Sequence, residues 1–149
     1  MKKAQGSAVT KMLLGALCIS VMLVGVSQAQ SDKLVFVGKL TLNQPTQWGA
    51  TLLQSGNYTI GIESTSMPVK AKIRDSRGRA VAIVISGIEA GKTSDGNKLL
   101  IAEKGGQPHV YALTLASIGR VLVYDPALAQ QAVREARAPQ TVPVVLARR

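Results

Sequence analysis

The chain has 149 residues, room for one ordinary domain, and at 46% hydrophobic and 17% charged it is too apolar for a disordered polyelectrolyte. Lys and Arg number 18 against 8 Asp and Glu, a net charge of +10, and there is one His and one Cys. Those last two counts exclude the clustered ligands of most metal sites and most designs that combine a thiol with an imidazole.

Residues 1–29 read as a targeting segment. Lys2, Lys3 and Lys11 precede Met12–Val26, a run of fifteen uncharged and mostly apolar residues, and Ser27-Gln28-Ala29 places small residues at a peptidase site. That order describes a secretory signal peptide cleaved after Ala29. A transmembrane anchor would need about 20 apolar residues. Cys18 follows Leu17 in mid-run, without the small residue that precedes a lipidated cysteine, and reads as part of the signal. The expected product starts at Gln30 as a periplasmic or extracellular protein that does not span the membrane and has no disulfide. It keeps a charge of +7 on 120 residues. Such a surface attracts anionic lipid head groups, cell-wall polymers or acidic proteins.

From Lys33 onward the pattern is one of alternation. In Leu34–Leu42 the even positions are apolar except Gly38, and Val69, Ala71 and Ile73 alternate with Lys70, Lys72 and Arg74. A two-residue period places such sets on opposite faces of a strand. Comparable runs at Gln47–Leu53, Tyr58–Glu63, Ala80–Ile85, Lys98–Glu103, Val110–Leu115 and Arg120–Tyr124 bring the total to about eight short strands. Their spacing suits an antiparallel β-sandwich or a partly open barrel over residues 30–125. Between them lie turn residues: Gly56, placed for the left-handed position of a hairpin; Asp75-Ser76-Arg77-Gly78; Gly105-Gly106; and Ser117-Ile118-Gly119. Val81–Ile85 is apolar on both faces, which predicts a place at the centre of a sheet. Phe36, Trp48 and Tyr58 fall on the apolar parity of their strands and belong to the core.

After Asp125-Pro126 the composition changes. Ala127–Arg137 is rich in helix formers, with a thin stripe of Leu128, Ala132 and Ala136, and Pro139 ends it. Thr141–Arg149 is extended and basic. Residues 126–149 therefore form a C-terminal tail, a short helix and then an extended piece, expected to be weakly attached. Its functional use would be docking on a partner, with Val142–Leu146 added to that partner's sheet edge.

Several motifs fail on their own chemistry. Gly87-Ile88-Glu89-Ala90-Gly91-Lys92-Thr93 ends like a phosphate-binding loop, but three residues separate its glycines instead of four, and turn sequence follows where a helix must start. Ser86–Asn97 instead reads as a flexible loop. His109, after Pro108 at a strand start, lacks a diagnostic serine motif and any spaced ligand pair. The eight acids fall mostly at turns and strand ends, and none recommends itself as a catalytic pair. No metal or other cofactor is implied. The sharpest charge feature is Lys70, Lys72, Arg74, Arg77 and Arg79, on one strand face and its hairpin, a candidate stripe for phosphate, carboxylate or sulfate groups. The same lysines also suit the wet face of a strand. Nucleic acid is not expected, because single-strand readers stack bases on exposed aromatics and this strand has none.

Pro45, Trp48-Gly49, Leu52 and Leu53-Gln54-Ser55-Gly56-Asn57-Tyr58-Thr59 resemble the Leu-x-x-Gly-x-Tyr signature of small exported β-proteins common in acidobacterial genomes. In that group the turn usually reads Leu-Pro-Ala-Gly-x-Tyr, and this chain departs from it at Gln54 and Ser55. The resemblance implies an exported β-sandwich-like domain and no particular activity. The expected function is thus a non-enzymatic binding or envelope-associated module for an anionic or protein partner. The alternatives are an accessory subunit docking through its tail, and a small periplasmic hydrolase using His109.

Overall fold

A computed structural model describes residues 34–93, 95–135 and 138–147. The expected leader, its cleavage site and Cys18 lie outside the described residues. The fold is all-β, in two sheets. The first has the order β12-β1-β4-β5-β6, from β1 (Phe36–Leu42), β4 (Gly56–Ile62), β5 (Val69–Asp75), β6 (Ala80–Ser86) and β12 (Val145–Leu146). The second has the order β11-β8-β9-β10-β7, from β7 (Ile88–Glu89), β8 (Asn97–Lys104), β9 (Gln107–Leu115), β10 (Arg120–Val123) and β11 (Gln140–Pro143). It is extended by β2 (Thr46–Trp48) and β3 (Thr51–Leu53) and curls into a half-barrel. All pairs are antiparallel except the single parallel bridge Gln47–His109, which hangs the β2–β3 hairpin on β9.

Alternation explains the layering. Along β1 and β5 every second residue is buried, so Phe36, Leu40, Leu42, Val69, Ala71 and Ile73 face inward. They meet Trp48, Leu99, Leu113, Leu115 and Leu122 from the other sheet in one continuous core. The expected core aromatics hold their places, Trp48 fully buried and Tyr58 packed against the cluster. The Trp48 ring meets Tyr124 edge-on at 5.4 Å.

The turns follow their residues. Gly105 and Gly106, both at positive φ, form the two-residue loop between the paired Lys104 and Gln107, as a tight hairpin requires. Between β5 and β6 the Asp75 carboxylate accepts the N–H groups of Arg77 and Arg79, each at 2.9 Å.

Five expectations are corrected. Gln47–Leu53 is not one strand, because Gly49 at φ +59 folds it into the β2–β3 hairpin. Leu53–Tyr58 is not a hairpin turn: β3 pairs with β2 in the second sheet and β4 with β1 in the first, so this segment carries the chain across the sandwich. The Tyr58 hydroxyl donates back to the Gln54 carbonyl at 2.8 Å, fastening that crossing in the manner of a tyrosine corner. Val81–Ile85 lies in the edge strand β6, with only β5 beside it. Ser86–Asn97 is not irregular throughout, since β7 pairs with β10, and the Ser86 hydroxyl donates to the carbonyls of Ile88 and Val123 where the chain changes sheet.

The fifth correction concerns the tail, which is helix and then extended as expected but is not weakly attached. Helix α1 (Pro126–Arg134) starts at Asp125, whose carboxylate accepts the Leu128 N–H, and has Pro in its first turn. Leu128 is 3% exposed and packs with Tyr111 and Ala112 on the outward side of the second sheet. Beyond it, β11 pairs with β8 and β12 with β1, so the tail joins both sheets. Val142 and Val144 enter the main core. Val142–Leu146 does add to sheet edges, but within its own domain. Gly38, the exception to the β1 pattern, makes this possible: a side chain there would collide with Val144 Cγ1 and the Phe36 ring.

Candidate functional site

The outward face of the first sheet carries the charge feature. Lys70, Lys72 and Arg74 alternate along β5 with its buried residues and project to solvent. Strand register joins them to neighbours far away in sequence. Arg74 lies opposite Thr59, and Thr59 opposite Lys39, so a row Lys39–Thr59–Arg74 crosses three strands. On the other side Lys70 lies opposite Ile85 and Lys72 opposite Ile83. Sequence reading missed Lys39, because only cross-strand register brings it into line with β5.

The five expected cations are gathered, but not equally available. Lys72 is bridged to Glu63 and Arg79 to Asp75, the latter at 2.8 Å. Arg74 donates to the Gly78 carbonyl at 3.1 Å. Lys70, Lys39 and the Arg77 side chain stand without an ion-pair partner among the described residues. Partial removal from water raises the Asp75 carboxyl, but hydrogen bonds from the Arg79 backbone and side chain and from the Arg77 N–H outweigh it. The group ends below the usual carboxylate range. Asp75 therefore stays ionised and occupied with its own turn.

Beside the Lys39 row an open groove of about 680 Å³ runs towards that turn. Its polar lining includes Lys39, Thr41, Asn57, Thr59 and Ser76, and also Asp75, whose carboxylate is taken up by Arg77 and Arg79. Thr41 donates to Asn57 Oδ1 at 2.7 Å, which fixes that amide. Hydroxyls and one free ammonium on a rigid sheet can hold an anionic group by hydrogen bonds and charge together. A smaller cleft of about 210 Å³ between α1 and β8 is walled by Ile101, Ala102, Leu128 and Ala132, with Glu103 and Glu135 at its rim.

The other sequence candidates are dispersed. His109 sits half-buried on β9, opposite Ala102 on one side and Gln47 on the other. Four acids are each tied to a cation: Glu63, Asp75, Asp125 with Lys104 at 2.9 Å, and Glu89 with Arg120 at 3.0 Å. Among the described residues no three of His, Cys, Asp and Glu gather as a metal site would require. Residues 87–93 contain β7 and no helix, so the phosphate-loop likeness has no structural counterpart. No described helix is long and apolar enough to cross a membrane.

Comparison with protein-family models, with curated proteins and with solved structures gives no match.

Proposed function

We propose that the chain is an exported, non-enzymatic binding module whose partner is anionic and is met on the outward face of the first sheet. The observation that carries this reading is that Lys39, Lys70 and Arg74 share the outward face of the first sheet, with Arg77 in the adjoining β5–β6 turn and Lys39 lining a hydroxyl-bearing groove. Scattered surface cations would be the ordinary result of a net positive charge. Three on one face and Arg77 in the adjoining turn, with no ion pair at Lys39, Lys70 or Arg77 among the described residues, make a directed field. Export is supported by the charged, apolar and small-residue order of residues 1–29 and by the resemblance to exported β-proteins. A non-enzymatic role is supported by acids already committed to cations and a histidine placed among Ala102 and Gln47. Docking through the tail has no supporting observation, since β11 and β12 already pair within the domain.

The test is retention of immobilised protein on anionic lipid vesicles, anionic cell-wall polymer and polyglutamate at low and moderate salt. At least one should bind, weaken as salt rises, and weaken about tenfold with Lys39→Glu plus Lys70→Glu. Failure of all three to show salt-sensitive retention overturns the proposal.

A further inference from the structure

The strand β6, Ala80-Val81-Ala82-Ile83-Val84-Ile85-Ser86, is the terminal strand of its sheet and contains no charge and no proline. Val81, Ile83 and Ile85 face solvent at 40%, 57% and 56% exposure. A shift in register places a bulge near Val81, but Ala82–Ser86 pairs regularly with β5. Apart from that pairing, no backbone hydrogen bond from another described element reaches β6. An uncharged, β-branched edge with an open main chain is what sheet proteins usually avoid, because it recruits another strand. Natural edges carry lysines or prolines on the edge itself. Here the lysines stand one strand further in, on β5.

We infer that β6 is a strand-acceptor edge for an extended segment of a protein partner that combines apolar and acidic side chains. The inference rests on the anionic-partner reading and narrows it to one occupant. Main-chain hydrogen bonds to the open edge supply affinity, and the side chains on alternate positions supply selectivity. Outward residues of the added strand lie about 4.8 Å from Ile83 and Ile85 and about 10 Å from Lys70. An apolar side chain continues the Val81–Ile83–Ile85 row, and a long carboxylate reaches over it to Lys70, which stands opposite Ile85 in the strand register. At the start of β6 the hairpin tip presents the exposed Arg77, placed for an acid that flanks the paired segment, while Arg79 is held by Asp75.

Two other occupants fit less well. A bilayer would receive the apolar row only with the open main-chain edge or the β5 cations in hydrocarbon, where unsatisfied groups cost several kcal/mol each. A second copy would bring the same cations and no acid to β6. Three half-exposed aliphatic side chains also fall well short of the roughly 800 Å² per partner that a stable dimer buries.

The experiment uses the purified chain and three labelled peptides with the same alternating valine–threonine core. One is flanked by glutamates, one is flanked by lysines, and one has glutamate flanks with alternate backbone amides N-methylated to block pairing. Affinity is read by fluorescence anisotropy, and amide exchange is followed across Ala82–Ser86. The glutamate-flanked peptide should bind at least tenfold tighter than either control and slow exchange in that stretch. Ile83→Thr plus Ile85→Thr should weaken it by about tenfold. Equal binding of the N-methylated peptide overturns the inference, and the anionic-partner reading survives if polyglutamate is still retained in a salt-sensitive way. Binding of anionic vesicles without the peptide overturns it in favour of a lipid surface. A concentration-dependent dimer lost on Ile83→Thr overturns it in favour of a second copy.

Discussion

The outward face of the second sheet is covered by α1, whereas that of the first lies open to water. Both are pleated surfaces of similar length, and both carry aliphatic side chains on the outside. On the second sheet Tyr111 and Ala112 are sealed beneath Leu128, with Leu100, Ala102 and Val121 around them. On the first, Val81, Ile83 and Ile85 stay exposed among the described residues, with Lys70 and Lys72 opposite Ile85 and Ile83. The same residue type is therefore buried in packing on one face and left exposed on the other. Stability should concentrate where α1 and the tail close the sandwich, and binding where nothing does.

Removing residues 126–149 is the most severe test. It uncovers Tyr111 and Ala112 and takes Val142 and Val144 out of the core, so the truncated chain should lose its cooperative thermal transition. A truncated form that melts as sharply as the full chain would return the tail to the status of an appendage.

Leu128→Ala and Ile83→Thr then compare the two faces directly. Leu128 is almost fully buried, and its truncation should cost about 2–4 kcal/mol in urea unfolding. Ile83 is more than half exposed, and its replacement should stay within about 0.5 kcal/mol. Equal losses would show that the open face is packed in solution.

Gly38→Ala should cost about 1–3 kcal/mol, because the added methyl strikes Val144 and Phe36. Combined with Val144→Ala the two losses should be less than additive, since each relieves the other. Strict additivity would separate the tail from β1.

The smallest effect concerns the start of α1. The Leu128 N–H, and then Lys104, hold the Asp125 carboxyl below the usual carboxylate range. A carboxylate lowered in the folded state contributes stability above its unfolded value, and that contribution disappears as pH falls through the folded value. Asp125→Ala should therefore cost about 1 kcal/mol at pH 7 and progressively less below pH 4. A loss independent of pH would assign the whole effect to helix geometry and none to charge.

The alternation at Phe36–Leu42 and Val69–Arg74 was legible in the sequence because the side-chain period of a strand is local: each residue's face follows from its neighbours. The same holds for the Asp75–Gly78 turn and for the helix after Asp125, whose carboxylate cap and Pro126 are adjacent in the chain. Strand order is not local. Val81–Ile85 has the composition of a central strand, and an apolar edge awaiting a partner has that composition too; only the placement of β5 and the departure of the chain at Ser86 decide between them. Leu53–Tyr58 carries turn residues that serve a hairpin or a crossing equally well, and the pairing of β3 and β4 with different sheets made it a crossing. Lys39 joins the cationic face solely through the register of β1, β4 and β5. Gly38, an unexplained gap in the pattern of β1, acquires its reason from Val144, more than a hundred residues later. Periodicity thus settled which side of each ribbon is dry, while the long-range hydrogen bonds between ribbons settled which dry sides meet and which face is left open.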